Sequence, residues 1–173
     1  MNTLIPYISQ NPRTPGLILL AVSVLALGSA FFVQYVLGIE PCVLCIYQRI
    51  PYAAVGIFAL FAIIAKPGGF TQQFALSLSI LAFIIGASVA FYHVGVEEKW
   101  WVSACSSTLS TNLSFEDLKA TLMATPLKSC DQKDWVIFDI SITVYNTVFS
   151  IFMAGVTSCL LYIVRQLKAH TTH

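Results

Sequence analysis

The chain has 173 residues, of which 57% are hydrophobic and only 10% are charged, and its mean hydropathy is +0.80. These values exclude an ordinary water-soluble domain and predict a membrane protein, organised as a single membrane domain over residues 1–173. The net charge of +1 is uninformative by itself, and no nucleic-acid partner is expected.

Four long apolar runs predict transmembrane helices embedded in a lipid bilayer. The first, residues 16–37, has 22 residues without a charge, enough at about 1.5 Å per residue to cross a hydrocarbon core of roughly 30 Å. A cleaved signal peptide is the competing interpretation, but the run exceeds the usual signal core of about 7 to 15 residues. The other helices are expected at about residues 46–65, 74–93 and 142–164. The predicted fold is therefore an all-α bundle of four transmembrane helices.

The link between the first two runs carries a pair of cysteines. Cys42 and Cys45 are separated by two residues, a spacing typical of half a metal site or of a reversible disulfide. Cys45 lies at the start of the second predicted helix, where unpaired N–H groups and the helix dipole stabilise a thiolate. Arg49 follows one turn later on the same face, where it is able to stabilise that anion or an anion on a bound acceptor. Snorkelling to the lipid headgroups is the alternative role for this arginine.

The third run ends at His93, and a long loop, about residues 94–141, follows it. His93 is expected at the same depth as the cysteine pair, where it either donates a hydrogen bond or proton to a reduced acceptor or caps the helix. Trp100 and Trp101 fit an interfacial aromatic belt. Within the loop, residues 114–123 predict a short amphipathic helix, either flat on the membrane or packed on the protein's own helices.

The distribution of charge predicts the orientation of the spans. One side carries four basic and no acidic residues, and the other carries five basic and eight acidic residues. Because basic residues concentrate on the cytoplasmic side, both termini are expected to be cytoplasmic and the loops at about 38–45 and 94–141 external. Cysteines in an external loop meet oxidising conditions, which favours a disulfide over zinc, so no metal is expected. The basic residues on the predicted cytoplasmic side are Arg13, Lys66, Arg165 and Lys168.

Five cysteines suffice for two pairs and one remainder. A disulfide between Cys42 and Cys45 would close a loop of four residues, and one between Cys105 and Cys130 a loop of 26. Loop-closure entropy gives the short loop about 2 kcal/mol and the long one about 3.5 kcal/mol. The short bridge is therefore a weak staple, better suited to being opened and closed, with a purely structural bridge as the alternative. Cys159 lies mid-span in the fourth run and is expected to be a small buried apolar residue.

Three features of the sequence occur together: Pro41-Cys42-Val43-Leu44-Cys45 leading into Tyr47-Gln48-Arg49, Tyr92-His93 with glutamates after it, and the Cys105 and Cys130 pair in the second external loop. In these features, which span all four predicted helices, the sequence resembles the disulfide bond formation protein B (DsbB) family, the bacterial inner-membrane thiol:quinone oxidoreductases. Gln48 departs from the family pattern, in which an acidic residue often precedes the arginine, and this affects fine electrostatics rather than the activity.

The resemblance implies a role for each of the four loop cysteines. A reduced DsbA-like periplasmic oxidase of the thioredoxin fold would attack the Cys105–Cys130 disulfide at Cys105, forming a mixed disulfide. Electrons would then pass to Cys42 and Cys45 by thiol–disulfide exchange, through a transient bridge between Cys42 and Cys130. The chain would thereby reoxidise its partner and generate disulfides de novo.

The resemblance also implies a quinone site and a location. Cys45 would face the quinone as a thiolate, with Arg49 and His93 beside the quinone ring. Ubiquinone, or menaquinone in the absence of oxygen, would leave reduced for the respiratory chain. The protein would be a multi-pass component of the bacterial inner membrane, with its active loops in the periplasm.

Other functions stay open at the level of sequence. Within the enzyme class, these are a vitamin K epoxide reductase-like protein and a DsbB paralogue that serves a dedicated partner. Outside it, the chain would be a non-catalytic tetraspan scaffold with two structural disulfides, or a transporter subunit. Catalysis is favoured because a structural staple does not require an arginine one turn from the thiol.

Overall fold

The computed structural model of the chain describes residues 11–103, 105, 128–133 and 136–171. Within them lie four long helices, α1 (Thr14–Tyr35), α2 (Val43–Ile64), α3 (Phe70–Glu97) and α4 (Ile142–Thr171). Each is long and apolar enough to cross a membrane, so the predicted all-α architecture is confirmed. A small antiparallel hairpin, β1 (Val136–Ile137) with β2 (Ile140–Ser141), precedes α4 and was not predicted. The expected helix over 114–123 lies outside the described residues.

The helix ends follow local chemistry. Pro15 stands in the first turn of α1, where its missing N–H removes no intrahelical hydrogen bond. Gly68, at φ +64°, makes the turn between α2 and α3, and its N–H donates to Gln72 Oε1 at 2.8 Å. This turn joins two antiparallel helices, α2 and α3. Pro51 lies inside α2, which continues through it to Ile64.

Several helix boundaries differ from the expected ones. α3 begins at Phe70 instead of about residue 74, and α4 runs to Thr171 instead of about residue 164. Two further differences lie at the cysteine end of the bundle. α2 begins at Val43 instead of about residue 46, because the Cys42 sulfur caps the helix by accepting the Cys45 N–H at 3.3 Å. α3 continues one turn beyond His93 to Glu97. In the sequence, Glu97 is the first charged residue after the apolar run. In the fold its carboxylate is buried and accepts a hydrogen bond from Thr143, so the helix extends to this residue. His93 is consequently an internal residue of α3.

The helices pack in chain order, α1 on α2, α2 on α3 and α3 on α4. Small residues allow the close approach. A Cβ at Gly16 would come within 3.0 Å of the Ala59 carbonyl oxygen, and one at Gly86 within 3.3 Å of Pro51, so glycine lets the backbones approach. The core between the helices is apolar and includes Leu19, Tyr52, Val55, Leu76, Phe83 and Met153.

The segment 128–133 carries Cys130 to the end of α3. The Cys130 N–H donates to the Cys105 carbonyl at 2.8 Å, and Lys133 Nζ lies 2.5 Å from Glu98 Oε1. The hydrogen bond to Glu98 raises the pKa of Lys133, although a solvent-exposed pair of this kind contributes little to stability. Cys130 itself is fully buried. Its burial therefore holds the segment against the bundle more firmly than the exposed ion pair does.

Trp101 covers the C-terminal end of α3. A Cβ on Gly95 would come within 2.0 Å of the indole ring, and the indole Nε1 donates to the Tyr92 carbonyl at 3.0 Å. The ring stacks on Tyr92 with centroids 5.7 Å apart, and it packs against the cluster that contains Cys42 and Cys130. The tryptophan therefore shields the cysteine end of the bundle by packing on the protein itself.

Gly95→Ala is expected to displace Trp101 and lower the free energy of unfolding by about 1 to 3 kcal/mol, the usual cost of overpacking. The measurement is thermal unfolding in detergent for a double-mutant cycle with Trp101→Ala. In the Trp101→Ala background the second substitution should cost nothing, because the clashing ring is gone. Gly155→Ala, on an open face of α4, is the matched control. A loss that persists without the indole would contradict this packing.

Candidate functional site: a dithiol beside an apolar cavity

The first cysteine pair lies at the start of α2. The Sγ atoms of Cys42 and Cys45 are 3.0 Å apart, and both residues are present as thiols. The Cys45 N–H donates to the Cys42 sulfur at 3.3 Å, as expected for a helix N-cap. The two sulfurs differ in burial, since Cys42 is 1% exposed whereas Cys45 is only partly buried.

The contacts that favour a thiolate converge on Cys42. The hydrogen bond from the Cys45 side chain, helped by His93, lowers the pKa of Cys42 to about 5 although burial opposes the shift. His93 Nε2 lies 3.6 Å from the Cys42 sulfur. The helix dipole also favours a thiolate at Cys45, and that assignment stays a prediction. The capping geometry adds a backbone donor at the preceding cysteine, Cys42.

His93 connects the dithiol to a polar chain through the bundle. Its Nδ1 lies 2.8 Å from Gln48 Nε2, and its Nε2 lies 3.7 Å from Glu97 Oε1. The ring is 2% exposed, and it also contacts the Cys130 backbone. The alternative role of capping the helix is therefore not the one observed, since α3 ends a turn later.

Gln48 continues this chain toward α4. Its Oε1 accepts from Asn146 Nδ2 at 2.5 Å, and Asn146 Oδ1 accepts from the Tyr52 hydroxyl at 2.6 Å. The hydroxyls of Tyr52 and Ser150 are 3.1 Å apart. From the sequence, Gln48 stood out only as a departure from a family pattern, and Asn146 was not predicted as a site residue. Carboxamides inside apolar spans are themselves a signal, because a buried polar group needs a partner.

Glu97 is a buried carboxylate at the C-terminal end of α3. Its Oε1 accepts a hydrogen bond from Thr143 Oγ1 at 2.7 Å, which ties α3 to the start of α4. Its Oε2 is buried and has no hydrogen-bond partner among the residues that the structure describes. An ionisable side chain in such a setting indicates a function or an additional ligand.

On the other side of the dithiol lies a cavity of about 750 Å³ between α1, α2 and α4. This volume is within the usual range of roughly 300 to 1,000 Å³ for small-molecule sites. Cys45 and Arg49 line it, and His93 does not. The Arg49 guanidinium donates to Gln34 Oε1 at 2.5 Å and lies 5.2 Å from the centre of the Phe31 ring. The remaining lining is mostly apolar, with Val22, Leu25, Leu27, Tyr52, Ile142 and Phe149 among its residues.

The second cysteine pair is joined by a disulfide. Cys105 and Cys130 are bonded, with their Cα atoms 5.4 Å apart. Cys130 packs in one buried cluster with Cys42, Leu44 and Val96, and Cys105 is partly exposed. The fold therefore brings Cys130 to the Cys42 side of the first pair, while Cys45 faces the cavity.

The expectation that Cys159 is a buried residue is wrong. It is exposed on the surface of α4 instead of buried. Apolar composition alone does not distinguish a core position from a lipid-facing one, because both select the same residue types in a membrane-spanning helix.

Three side chains of the site also form a group with metal-binding geometry. The ligand atoms of Cys42, Cys45 and His93 all lie within 4.8 Å of one another. The same atoms are therefore arranged either for thiol redox chemistry or for coordination of a soft cation.

Comparison with known proteins identifies the family of the chain. A family model described as disulfide bond formation protein DsbB matches residues 12–160. A disulfide bond formation protein B from Xanthomonas axonopodis pv. citri is 33% identical, covering 74% of this chain and 77% of that relative. A protein of the same name from Cupriavidus metallidurans is 30% identical, over 72% of this chain and 83% of the relative.

An uncharacterised protein from Rickettsia prowazekii is 28% identical over 87% of this chain and 89% of the relative. The matched region includes all four helices except the last residues of α4. Because the family match covers most of the sequence, this chain belongs to the DsbB family of disulfide bond formation proteins.

Proposed function

We propose that the chain is a thiol:quinone oxidoreductase that reoxidises a DsbA-like periplasmic dithiol oxidase and so generates disulfides de novo. The observation that carries the proposal is the division of the first cysteine pair. Cys42 is buried in one cluster with Cys130, whereas Cys45, at the edge of that cluster, also lines an apolar cavity with Arg49. A dithiol with one sulfur beside Cys130 and the other at the cavity is suited to pass electrons from the second cysteine pair to a molecule bound in the cavity.

The proposed transfer starts at the second pair. A thiolate of the reduced partner attacks Cys105, which is partly exposed, and releases the Cys130 thiolate. Cys130 then attacks Cys42 of the closed first pair, so that a Cys42–Cys130 bond forms and the Cys45 thiolate leaves. Each exchange makes one sulfur–sulfur bond and breaks one, and it conserves electrons. The shared burial of Cys42 and Cys130 supports this order.

The residues lining the cavity fit a quinone. A quinone head is an apolar ring with two carbonyl acceptors, and when bound it accepts two electrons and two protons as the dithiol closes to a disulfide. The lining offers apolar side chains together with the Arg49 guanidinium and the carboxamides of Gln48 and Asn146. Arg49 holds a positive charge where negative charge develops, and Gln34 and Phe31 fix its position. Ubiquinone or menaquinone would both fit this description.

His93 has a different proposed place from the one that the resemblance implied. It contacts Cys42 and reaches the cavity only through Gln48 and Asn146. In this arrangement the imidazole holds or moves a proton at Cys42 while Gln48 keeps the ring in position. Its influence on a bound quinone would be indirect.

The membrane setting follows from the acceptor. A DsbA-type partner is a strong oxidant at about −120 mV, so its reoxidation needs a still stronger acceptor. A quinone dissolved in lipid is reached from within the bilayer, which accounts for a thiol oxidase built on four spans. We propose that the chain resides in the bacterial inner membrane, with both termini in the cytoplasm and the cysteine loops in the periplasm.

The activity is tested by mixing the purified protein with a reduced DsbA-type partner and a soluble quinone and following quinone absorbance. The wild-type chain is expected to reduce quinone, and Cys45→Ser to abolish the reaction because its thiolate is the donor nearest the cavity. Cys159→Ser, on the outer surface of α4, serves as control and should retain full activity. A wild-type chain that reduces no quinone, or an active Cys45→Ser variant, would favour the scaffold instead.

Arg49→Met is expected to raise the KM for quinone about tenfold or more, since a hydrogen bond to a charged group contributes about 1.5 to 3 kcal/mol. Gln34→Leu should have a smaller effect in the same direction, because it only releases the guanidinium. Arg165→Met, which removes a charge near the other end of the bundle, is the control. The idea fails if Arg49→Met leaves the quinone KM unchanged.

The orientation is tested with cysteines introduced at two exposed lysines and a thiol reagent that does not cross membranes. Lys99→Cys, just after α3, should be labelled on intact spheroplasts, and Lys66→Cys, at the α2–α3 turn, only after permeabilisation. Peptide mass spectrometry identifies the labelled site. The reverse pattern would place the cysteine loops in the cytoplasm.

A further inference from the structure

We propose that the open Cys42–Cys45 pair, together with His93 and Glu97, forms a binding site for Zn²⁺ or a similar thiophilic divalent cation, and that occupancy holds the pair reduced. Metal binding itself is independent of the proposed function, whereas the inhibition that would follow rests on it. The oxidising location argues against a permanent structural zinc. It does not exclude a cation that binds only while the pair is open.

The distances are close to those of a tetrahedral zinc site. Zinc bonds of about 2.3 Å to sulfur and about 2.0 to 2.1 Å to nitrogen place two sulfurs about 3.8 Å apart and sulfur about 3.5 Å from nitrogen. The Cys42 sulfur lies 3.6 Å from His93 Nε2, which already matches. The two sulfurs are 3.0 Å apart, so they must separate by about 0.8 Å to reach that value. A rotation of the partly exposed Cys45 side chain would provide this.

Glu97 supplies an independent indication of a ligand. Its Oε1 lies 3.7 Å from His93 Nε2, about 0.4 Å beyond the separation expected for oxygen and nitrogen on one zinc ion. Glu97 is not within 4.8 Å of all three ligand atoms of Cys42, Cys45 and His93, so its carboxylate must move toward the sulfurs to complete the set. Its Oε2 is buried without a hydrogen-bond partner among the described residues, and the side chain is 4% exposed. A buried carboxylate oxygen without a donor is stabilised by a cation at this position.

The chemistry of the four groups favours a soft dication. Two thiolates and a carboxylate carry three negative charges, and an imidazole adds a neutral ligand, a donor set typical of zinc. Ligation through Nε2 places the ring proton on Nδ1, where the Gln48 carboxamide accepts it once the amides of Gln48 and Asn146 are both reversed end for end, which keeps a hydrogen bond between them. Such an outer hydrogen bond orients a metal-bound histidine. Cys45, which lines the large cavity, offers the ion a path to the buried ligands.

Occupancy and disulfide formation exclude each other. On binding, the thiols lose whatever protons they carry and two sulfur–zinc bonds form, with no transfer of electrons. Closing the disulfide then requires both sulfur–zinc bonds to break and the ion to leave. Zinc would therefore slow electron transfer from the reduced pair and would leave the closed pair unaffected.

Binding is measured on full-length Cys105→Ala/Cys130→Ala/Cys159→Ala protein in detergent, in which Cys42 and Cys45 are the remaining thiols. The reduced chain is titrated with Zn²⁺ against a chromogenic chelator, without quinone or partner. One ion per chain is expected when the pair is reduced and none when it has been closed by diamide. A Co²⁺ titration should give thiolate charge-transfer bands and the intense visible bands of a tetrahedral site. No binding, or equal binding by the closed pair, overturns the proposal.

Two substitutions test the fourth ligand. Glu97→Gln keeps an acceptor for Thr143 and should weaken zinc binding roughly 10- to 100-fold. Glu98→Gln, at the exposed neighbouring carboxylate, should bind like the parent. Zinc should also raise the unfolding temperature of the reduced parent, which separates lost ligation from lost folding in each variant. Equal affinity in Glu97→Gln and Glu98→Gln would refute the site as stated.

Quinone reduction measured with and without zinc separates the metal site from the proposed function. Zinc added to the reduced wild-type chain before quinone should suppress quinone reduction, and a chelator should restore it. A chain that binds zinc but never reduces quinone would contradict the function alone. A chain that reduces quinone but binds no zinc would contradict the inference alone.

Discussion

The hydrogen bond between Gln48 and His93, 2.8 Å long and buried, is the contact on which the rest of the site depends. It joins α2 to α3 in a bundle whose core is mainly apolar. Because polar groups in an apolar interior are expensive to leave unpaired, this bond and its continuation to Asn146 fix the relative rotation of three helices. The imidazole is thereby held against Cys42.

This constraint gives two adjacent sulfurs unequal surroundings. Cys42 is buried, faces His93 and packs beside Cys130. Cys45 is one turn of chain away at the wall of the cavity, with Arg49 beyond it. A pair of equivalent cysteines could exchange electrons with either neighbour in any order. This asymmetry allows electrons to pass in one direction through the pair. The proposed metal site uses the same two sulfurs, together with His93 and Glu97.

Much of the fold was predictable because long uncharged runs have few alternatives in a membrane. The cysteines, Arg49 and His93 were identifiable as residues that an apolar helix does not need. The extension of α3 was not, because Glu97 is charged in the sequence and its burial depends on Thr143, which is 46 positions away. The cavity was not predictable from the sequence either, because it forms between α1 and α4, which are distant in the chain. The exposure of Cys159 had no compositional signal.

The central claim, that the first pair delivers electrons directly into the cavity, is tested most directly by a single turnover. Chains with Cys42 and Cys45 reduced and Cys105–Cys130 closed are mixed anaerobically with ubiquinone, and the thiol state is read by peptide mass spectrometry. The account predicts one quinone reduced for each Cys42–Cys45 disulfide formed, with the second pair unchanged. Quinone reduction that requires opening of the Cys105–Cys130 bond, or none while the first pair stays reduced, would contradict it.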